Sequence, residues 1–139
     1  MGKRIIDSIL ELKSGCTSKI DSIQERLKLS PVEFRGILTL DPGTIVPCKI
    51  LSRKMGLSIS RGSRAVDKLL RNGYLKEVKN SEDKRVLNIT LADKGIKVRE
   101  KIYNDLEECE QKIIKNVKKS ERDELIIALQ KITQILNSN

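Results

Sequence analysis

The sequence predicts a mainly α-helical chain with one small β-hairpin, and three observations carry that prediction. Apolar residues recur every three or four positions over most of the 139 residues, which is the period of an amphipathic helix. Two short β-prone runs stand near the middle, separated by a polar segment. Only three residues are aromatic, so any core must be built from Ile, Leu and Val.

Two of the six expected helices have clear start and stop signals. One begins at Ser30, where the hydroxyl can cap, Pro31 takes the first helical position and Glu33 can reach back; it ends near Leu40. The other is capped by Ser58 and stops at residues 72–73, Asn-Gly. The remaining helices are placed by their apolar stripes at about residues 5–27, 47–56, 92–117 and 120–136, the last with Ser120 as its cap.

Residues 74–79 and 85–91 are the only convincing strands, joined by the polar residues 80–84. In the second strand Leu87, Ile89 and Leu91 alternate with more polar neighbours that include Thr90. Side chains alternate between the two faces of a strand, so we expect those three to face the core and Thr90 to point away from it.

The positive charge of the chain is concentrated in its middle. Residues 47–99 hold 14 Lys and Arg against 5 Asp and Glu, whereas residues 1–46 hold 7 against 6 and residues 100–139 hold 7 against 8. A clustered excess of +9 favours a polyanionic partner, because each neutralised phosphate releases counterions. An anionic membrane would also attract it, but no single basic amphipathic helix or lipidation signal is present.

Composition argues against several classes of protein. There is no histidine, which removes the commonest general base and metal ligand, and a lone Cys nucleophile would have no visible base. We therefore expect no enzyme, no metal and no cofactor. Three cysteines without metal-like spacing fit a reducing compartment, and no apolar run reaches the ~18 residues of a membrane span, so a cytoplasmic location is expected.

The expected exposure of the three cysteine side chains decides which of them could sense oxidants. Cys16 and Cys109 lie in apolar stripes, which predicts burial and a structural role, while Cys48 is the more exposed by position. Cys16 and Cys48 are the two candidates for a redox role, which would require a lowered thiol pKa.

Long apolar stripes at both ends of the chain indicate a dimer. A core of this size cannot cover both the first helix and the last two, so a second copy of the chain is the expected partner. The whole chain, 1–139, is interpreted as one domain in which residues 1–29 and 96–139 form dimerisation helices on either side of the basic residues 30–95.

The order helix, turn, helix, hairpin in residues 51–95 is that of a winged helix-turn-helix. In the fourth helix Val66, Leu69 and Leu70 should point inward, with Gly62 or Ala65 where backbones approach. The residues left on its outer face are candidates for the major groove of DNA: Ser60, Arg61, Ser63, Arg64 and Lys68. The alternative is a solvated helix face that happens to be basic.

The hairpin tip is a second candidate contact. Asp83, Lys84 and Arg85 could place an arginine in the minor groove, with Asp83 orienting it, although an ordinary charged turn would look the same. Five further cations are candidate phosphate contacts, which position a protein without specifying sequence: Lys49, Arg53, Lys54, Lys76 and Lys79.

The run from Ile45 to Gly95 resembles the MarR family of bacterial and archaeal transcription regulators. The resemblance lies in the reading helix LSISRGSRAVDKLL, the glycine before the first wing strand, the acidic-x-Arg wing tip and the L-x-x-x-G that opens the next helix. It implies that Ser60, Arg61, Ser63 and Arg64 read the major groove and that Arg85, steadied by Asp83, enters the minor groove. Two departures are Gly62, where a β-branched residue is frequent, and Ala92, where a capping Thr is usual.

The resulting hypothesis is a homodimeric, sequence-specific DNA-binding transcription regulator, more specifically a repressor, in which residues 30–95 bind a pseudo-palindromic operator. The alternative is an architectural DNA- or RNA-binding protein that uses the same surface without sequence preference. A small-molecule effector is an open expectation, and the scarcity of aromatics gives no indication of which one.

Overall fold

The computed structural model describes residues 2–79, 82 and 85–138. Within these residues the elements, in chain order, are α1 (Ile5–Leu27), α2 (Pro31–Thr39), β1 (Val46–Pro47), α3 (Cys48–Lys54), α4 (Ile59–Arg71), β2 (Leu75–Val78), β3 (Asn88–Leu91), α5 (Asp93–Asn116) and α6 (Lys119–Asn137). The predicted class, mainly α with a small wing and long terminal helices, is confirmed. The chain divides into two compact units, one ending at Arg99 and one beginning at Glu100.

The core of the first unit is aliphatic, as composition requires. Its most deeply buried side chains come from every element between α2 and β3, and they include Ile37, Leu51, Val66, Leu69 and Ile89, each almost inaccessible to solvent. Packing α2, α3 and α4 on this core and closing it with a sheet holds α4 in one orientation, with its apolar side inward.

The sheet has one more strand than the sequence predicts. β3 lies between β1 and β2, and both pairings are antiparallel. Val46 pairs with Ile89, a contact between segments too far apart for a local turn signal to reveal. Ile89 and Leu91 are buried, as expected, but Thr90 is buried too, and its hydroxyl donates to the Thr44 carbonyl at 2.7 Å.

Two predictions about helices need correction. Leu70, expected inside, is only half-buried. Helix α6 is not capped by Ser120: its N-cap is Lys118, which makes no side-chain cap, and Ser120 lies within the first turn. Glu121 in that turn compensates, because an acidic side chain interacts favourably with the positive end of the helix. By contrast, both the Ser30 capping box of α2 and the Ser58 cap of α4 form as predicted.

The first half of the apolar stripe of α1 and most of the stripe of α6 are exposed in the single chain, whereas Ile20, Ile23 and Leu27 at the end of α1 are buried or half-buried. Along α1, Ile5 is 75% exposed and Leu12 55%; along α6, Leu129 is 49% and Leu136 60% exposed. No residue of α6 is buried. These faces therefore have no packing partner that would account for their composition within the part of the chain that the structure describes.

Candidate nucleic-acid interface

Helix α4 begins and ends where its sequence signals place it. The Ser58 hydroxyl accepts a hydrogen bond from the Arg61 backbone N–H at 3.3 Å, and the helix stops at Asn72, followed by Gly73 at φ +81°. Its first turn contains no acidic residue. The positive end of the helix dipole is thus not neutralised from within the helix, which favours an approaching anion such as a phosphate.

The two sides of α4 differ sharply in polarity. Its inward side, with Ala65, Val66 and Leu69, is buried together with the backbone of Gly62. The major-groove candidates lie on the other side: Ser60, Arg61, Ser63 and Arg64 are exposed and Lys68 is half-exposed. The structure therefore presents all five predicted residues to solvent on one helix.

The close approach of α3 and α4 depends on a missing side chain. A Cβ atom at Gly62 would lie 2.0 Å from the Ser52 hydroxyl oxygen, 2.2 Å from its Cβ and 3.1 Å from its Cα. Ser52 is itself buried, and its hydroxyl donates to the Cys48 carbonyl at 2.9 Å. Gly62 is therefore a requirement of the helix crossing, and sequence reasoning did not find its partner Ser52.

Depressions flank α4 on both sides. The first, which we name the basic groove, separates α4 from the start of α2 and is lined by Ser30, Val32, Arg61, Arg64 and Lys68. The outward face of α4 consequently forms a ridge with cations along this side. A ridge of helical width is the shape that the major groove of B-DNA admits.

The second depression, named here the wing cleft, has a volume of about 650 Å³ and separates α4 from α3 and from the chain that leads into β3. Among its lining residues are Lys49 of α3, Ser63 of α4 and Arg85 of the wing. One residue from each of the three predicted groups of DNA contacts thus lines the same cleft, although the three are far apart in sequence.

The two strands of the wing, β2 and β3, are shorter than the predicted strands 74–79 and 85–91, so the segment that connects them is longer than predicted. Arg85 therefore lies in a turn before β3 and not within the strand, and its side chain is exposed. Asp83 and Lys84 lie outside the described residues, so the orienting role expected for Asp83 stays a prediction. The five phosphate candidates Lys49, Arg53, Lys54, Lys76 and Lys79 are all exposed.

A buried carboxylate, not anticipated from the sequence, anchors the end of α4. Glu33 is 5% exposed, and it accepts hydrogen bonds from the Asn72 side-chain amide at 2.8 Å and from the Ser30 N–H at 3.1 Å. Lys68 lies 3.9 Å away. The sequence indicated only the capping role of Glu33; its contact with Asn72 joins residues of α2 and α4 that no local pattern connects.

The same end of α4 is closed by Lys94. Its ammonium group donates to the Asn72 carbonyl at 2.7 Å and lies 4.6 Å from the centre of the Tyr74 ring. The side-chain amide and the backbone carbonyl of Asn72 therefore both have hydrogen-bond partners. This fixes the C-terminal end of the ridge, as Ser58 fixes its start.

The charge state of Glu33 makes the stability of the fold depend on pH. Burial by itself raises the pKa of its carboxyl, but hydrogen bonds from Asn72 and Ser30 and the Lys68 charge outweigh it, so the pKa lies below its usual value. The folded state then binds fewer protons than the unfolded state near the unfolded pKa of about 4.3. The contribution is present above that pH and is lost as the pH falls through the lower, folded pKa.

We therefore expect Glu33→Gln to lower the free energy of unfolding by about 1–3 kcal/mol at pH 7, because Asn72 and Ser30 lose a charged acceptor. The difference between wild type and variant should shrink as the pH falls below about 4. Urea unfolding at pH 7 and pH 3.5 measures both effects. Glu25→Gln, at an exposed position of α1, is the matched control and should change neither; a constant difference at both pH values would contradict the linkage.

Cys16 and Cys48 reverse the exposure expected of them, and Cys109 is less buried than its apolar stripe predicts. Cys16 is exposed, whereas Cys48 and Cys109 are half-buried, because the part of the α1 stripe that holds Cys16 has no cover within the chain while Cys48 lies against the wing cleft. Burial raises the pKa of the Cys48 thiol, with a further upward contribution from the Asp67 carboxylate, and the Ser52 hydrogen bond opposes both. A raised pKa disfavours the reactive thiolate at Cys48. A redox role for Cys16 stays a prediction.

The described residues also bear on metal binding and on membrane insertion. No group of three or more Cys, Asp or Glu side chains there could hold a metal ion. In the same residues, none of the helices combines the length and the apolar character needed to cross a membrane.

Comparison with solved structures identifies the fold. A MepR variant from a multidrug-resistant S. aureus clinical isolate superposes with a TM-score of 0.81 at 17% identity, covering 98% of this chain and 99% of the other. NadR in complex with 4-hydroxyphenylacetate gives 0.77 at 16% identity, covering 99% and 94%. Wild-type apo MarR from E. coli gives 0.71 at 16% identity, covering 95% and 98%. These neighbours confirm at the level of fold the resemblance found in the sequence.

Sequence comparison adds one relative. The HTH-type transcriptional regulator BilQ of Clostridium symbiosum is 33% identical over 70 residues, which are 50% of this chain and 49% of BilQ. The match thus spans about half the length of that relative. No protein-family model matches the chain.

Proposed function

We propose that this chain, whose fold is that of the MarR regulators, is a transcription regulator that binds double-stranded DNA with sequence specificity, and more specifically a repressor. The proposal extends to this chain what the name of its curated relative says of that protein. Within it, α4 lies in the major groove and the wing contacts the flanking minor groove, as the family resemblance implies.

The observation that carries the proposal is the ridge formed by α4 between its two depressions. Arg61, Arg64 and Lys68 line one side of it, and Ser63 on the other side shares the wing cleft with Lys49 and Arg85. An excess of positive charge, with Asp67 as the one acidic residue of α4, a protruding helix and an open helix N-terminus occur together at this surface.

A homodimer is the second part of the proposal. It is supported by the exposed apolar residues in the first half of α1 and along α6, because burying such faces against a second copy stabilises helices that are weak alone. Two reading helices would then bind half-sites about one helical turn, ~34 Å, apart on a pseudo-palindrome. Light scattering of the purified chain tests this part, and a stable monomer would refute it.

Sequence specificity separates the proposal from its alternative, an architectural DNA- or RNA-binding protein. Selection of bound fragments from random duplex DNA should enrich an inverted repeat, and the enriched duplex should resist competition by an excess of bulk duplex. Binding of all duplexes with equal affinity, or preference for RNA, would favour the alternative.

The wing contributes a separate prediction. Because Arg85 is exposed at the turn before β3 and lines the wing cleft, we expect Arg85→Ala to weaken binding and to flatten preference at A/T-rich positions flanking the half-site. Titration of parent and variant on duplexes with A/T-rich and G/C-rich flanks measures this. The loss should be about 5- to 50-fold on the A/T-rich flank and smaller on the other; equal affinities for parent and variant would remove the wing from the mechanism.

A further inference from the structure

Helix α4 displays one aliphatic side chain that its packing does not use. Val66 and Leu69 are fully buried and Leu70 is half-buried, yet Ile59, the first residue of α4, is 71% exposed. It lies on the outward part of the helix that the proposed function assigns to DNA. An isolated exposed isoleucine needs no explanation on most surfaces, but this position is at the start of the reading helix.

The start of the helix does not account for Ile59 either. A hydrophobic staple joins the residue before the N-cap to the fourth helical residue, which here are Leu57 and Gly62, and glycine has no side chain to contribute. Ile59 occupies the first helical position, outside that pair. A β-branched residue also brings no helix propensity to this position. Neither capping nor packing therefore requires isoleucine here.

The surroundings of Ile59 indicate what it contacts. It lines the wing cleft, where Cys48 and Val86 are apolar neighbours and where Lys49 and Arg85 supply positive charge. Ser63, one turn further along α4, lines the same cleft. An apolar surface bordered by cations fits an apolar group carried by a polyanion.

Duplex DNA carries one apolar group of this kind on its base edges. The 5-methyl group of thymine points into the major groove, and aliphatic side chains recognise it by contact. We propose that Ile59 and the adjacent apolar wall of the wing cleft form a subsite for a thymine methyl, next to the base contacted by Ser63. The inference rests on the proposed function and adds a determinant of base preference on the side of α4 opposite the basic groove.

Replacement of thymine by deoxyuridine tests the subsite, because it removes the methyl group and leaves base pairing intact. In a scan of the selected duplex, one thymine in each half-site should be sensitive for the wild-type chain. Its replacement should weaken binding about fourfold per half-site, the value of one buried methyl group. Ile59→Ala should weaken binding to the thymine duplex and bind thymine and deoxyuridine duplexes equally, whereas Ile59→Val should retain part of the difference.

Ile45→Ala is the matched control, since Ile45 is 55% exposed in the loop before β1 and is expected to keep the full wild-type sensitivity. The inference is overturned if the wild type binds the selected duplex but is indifferent to every deoxyuridine, or if Ile59→Ala shows an undiminished penalty. A change of oligomeric state in Ile59→Ala would show that the surface contacts a second copy instead, and would also overturn it. If no duplex is selected at all, the proposed function fails and the subsite with it.

Discussion

Replacing Arg64 with alanine should weaken binding to the selected duplex by about 10- to 100-fold and binding to random duplex far less. A guanidinium on the exposed ridge of α4 can donate two hydrogen bonds to guanine, and such a pair discriminates by about 1–3 kcal/mol. The side chain is exposed, so the loss should not reflect unfolding. Titrations of both duplexes at several salt concentrations measure the effect, with thermal unfolding as the check on folding.

Lys54→Ala provides the comparison for Arg64→Ala. Lys54 is exposed on α3 and is a candidate phosphate contact, so its loss should weaken both duplexes alike and make the salt dependence shallower by about one phosphate. Arg64→Lys should not restore specificity, because an ammonium group lacks the planar pair of donors. Equal losses on specific and random duplexes in Arg64→Ala would reduce Arg64 to a phosphate contact.

Gly62→Ala should lower the free energy of unfolding by about 3 kcal/mol, because overpacked contacts of this kind cost ~1–3 kcal/mol and sometimes more. The added Cβ would overlap Ser52, 2.0 Å from its hydroxyl oxygen and 3.1 Å from its Cα, so a side-chain rotation alone cannot relieve it. Helix propensity alone would raise the free energy of unfolding by up to ~1 kcal/mol, because it favours alanine over glycine, so the expected change has the opposite sign. Urea unfolding monitored by circular dichroism measures it.

Gly15→Ala is the control for this prediction, because Gly15 lies in α1 and the added Cβ would meet nothing within 4 Å outside the backbone of its own helix. It should stabilise the chain by up to ~1 kcal/mol through helix propensity alone. If Gly62→Ala were also stabilising, α3 and α4 would have to separate without cost, and the close crossing would not hold the reading helix in place. DNA binding by Gly62→Ala should then remain normal.

Local signals account for the parts of the fold that the sequence predicted. The Ser30 capping box and the Ser58 cap act within four residues of the helix starts they define, and both form. The period of apolar residues along α4 correctly separated Val66 and Leu69 from the exposed cations. These signals depend only on neighbouring residues along one helix, so they can be recognised in the sequence without a structure.

The errors arose where contacts join remote segments. The pairing of Val46 with Ile89 adds a third strand to the sheet, and Thr90 next to it is buried. No sequence signal near Val46 or Ile89 predicts this pairing. The prediction of Ser120 as the N-cap of α6 was wrong for a different reason. Several residues can begin a helix, and α6 begins after Lys118 although the Lys118 side chain makes no capping hydrogen bond. Cys16 was expected to be buried because an apolar stripe implies a cover, but the single chain supplies none.

The helices, the excess of positive charge between residues 47 and 99 and the outward residues of α4 could all be predicted without a structure. Periodicity, capping and charge are properties of the chain as it is written. The folded arrangement was needed to show that Lys49, Ser63 and Arg85 line one cleft. It also revealed that Glu33 accepts a hydrogen bond from Asn72 and that Gly62 must lack a side chain beside Ser52. Such distances follow from how whole elements pack, which no local pattern specifies.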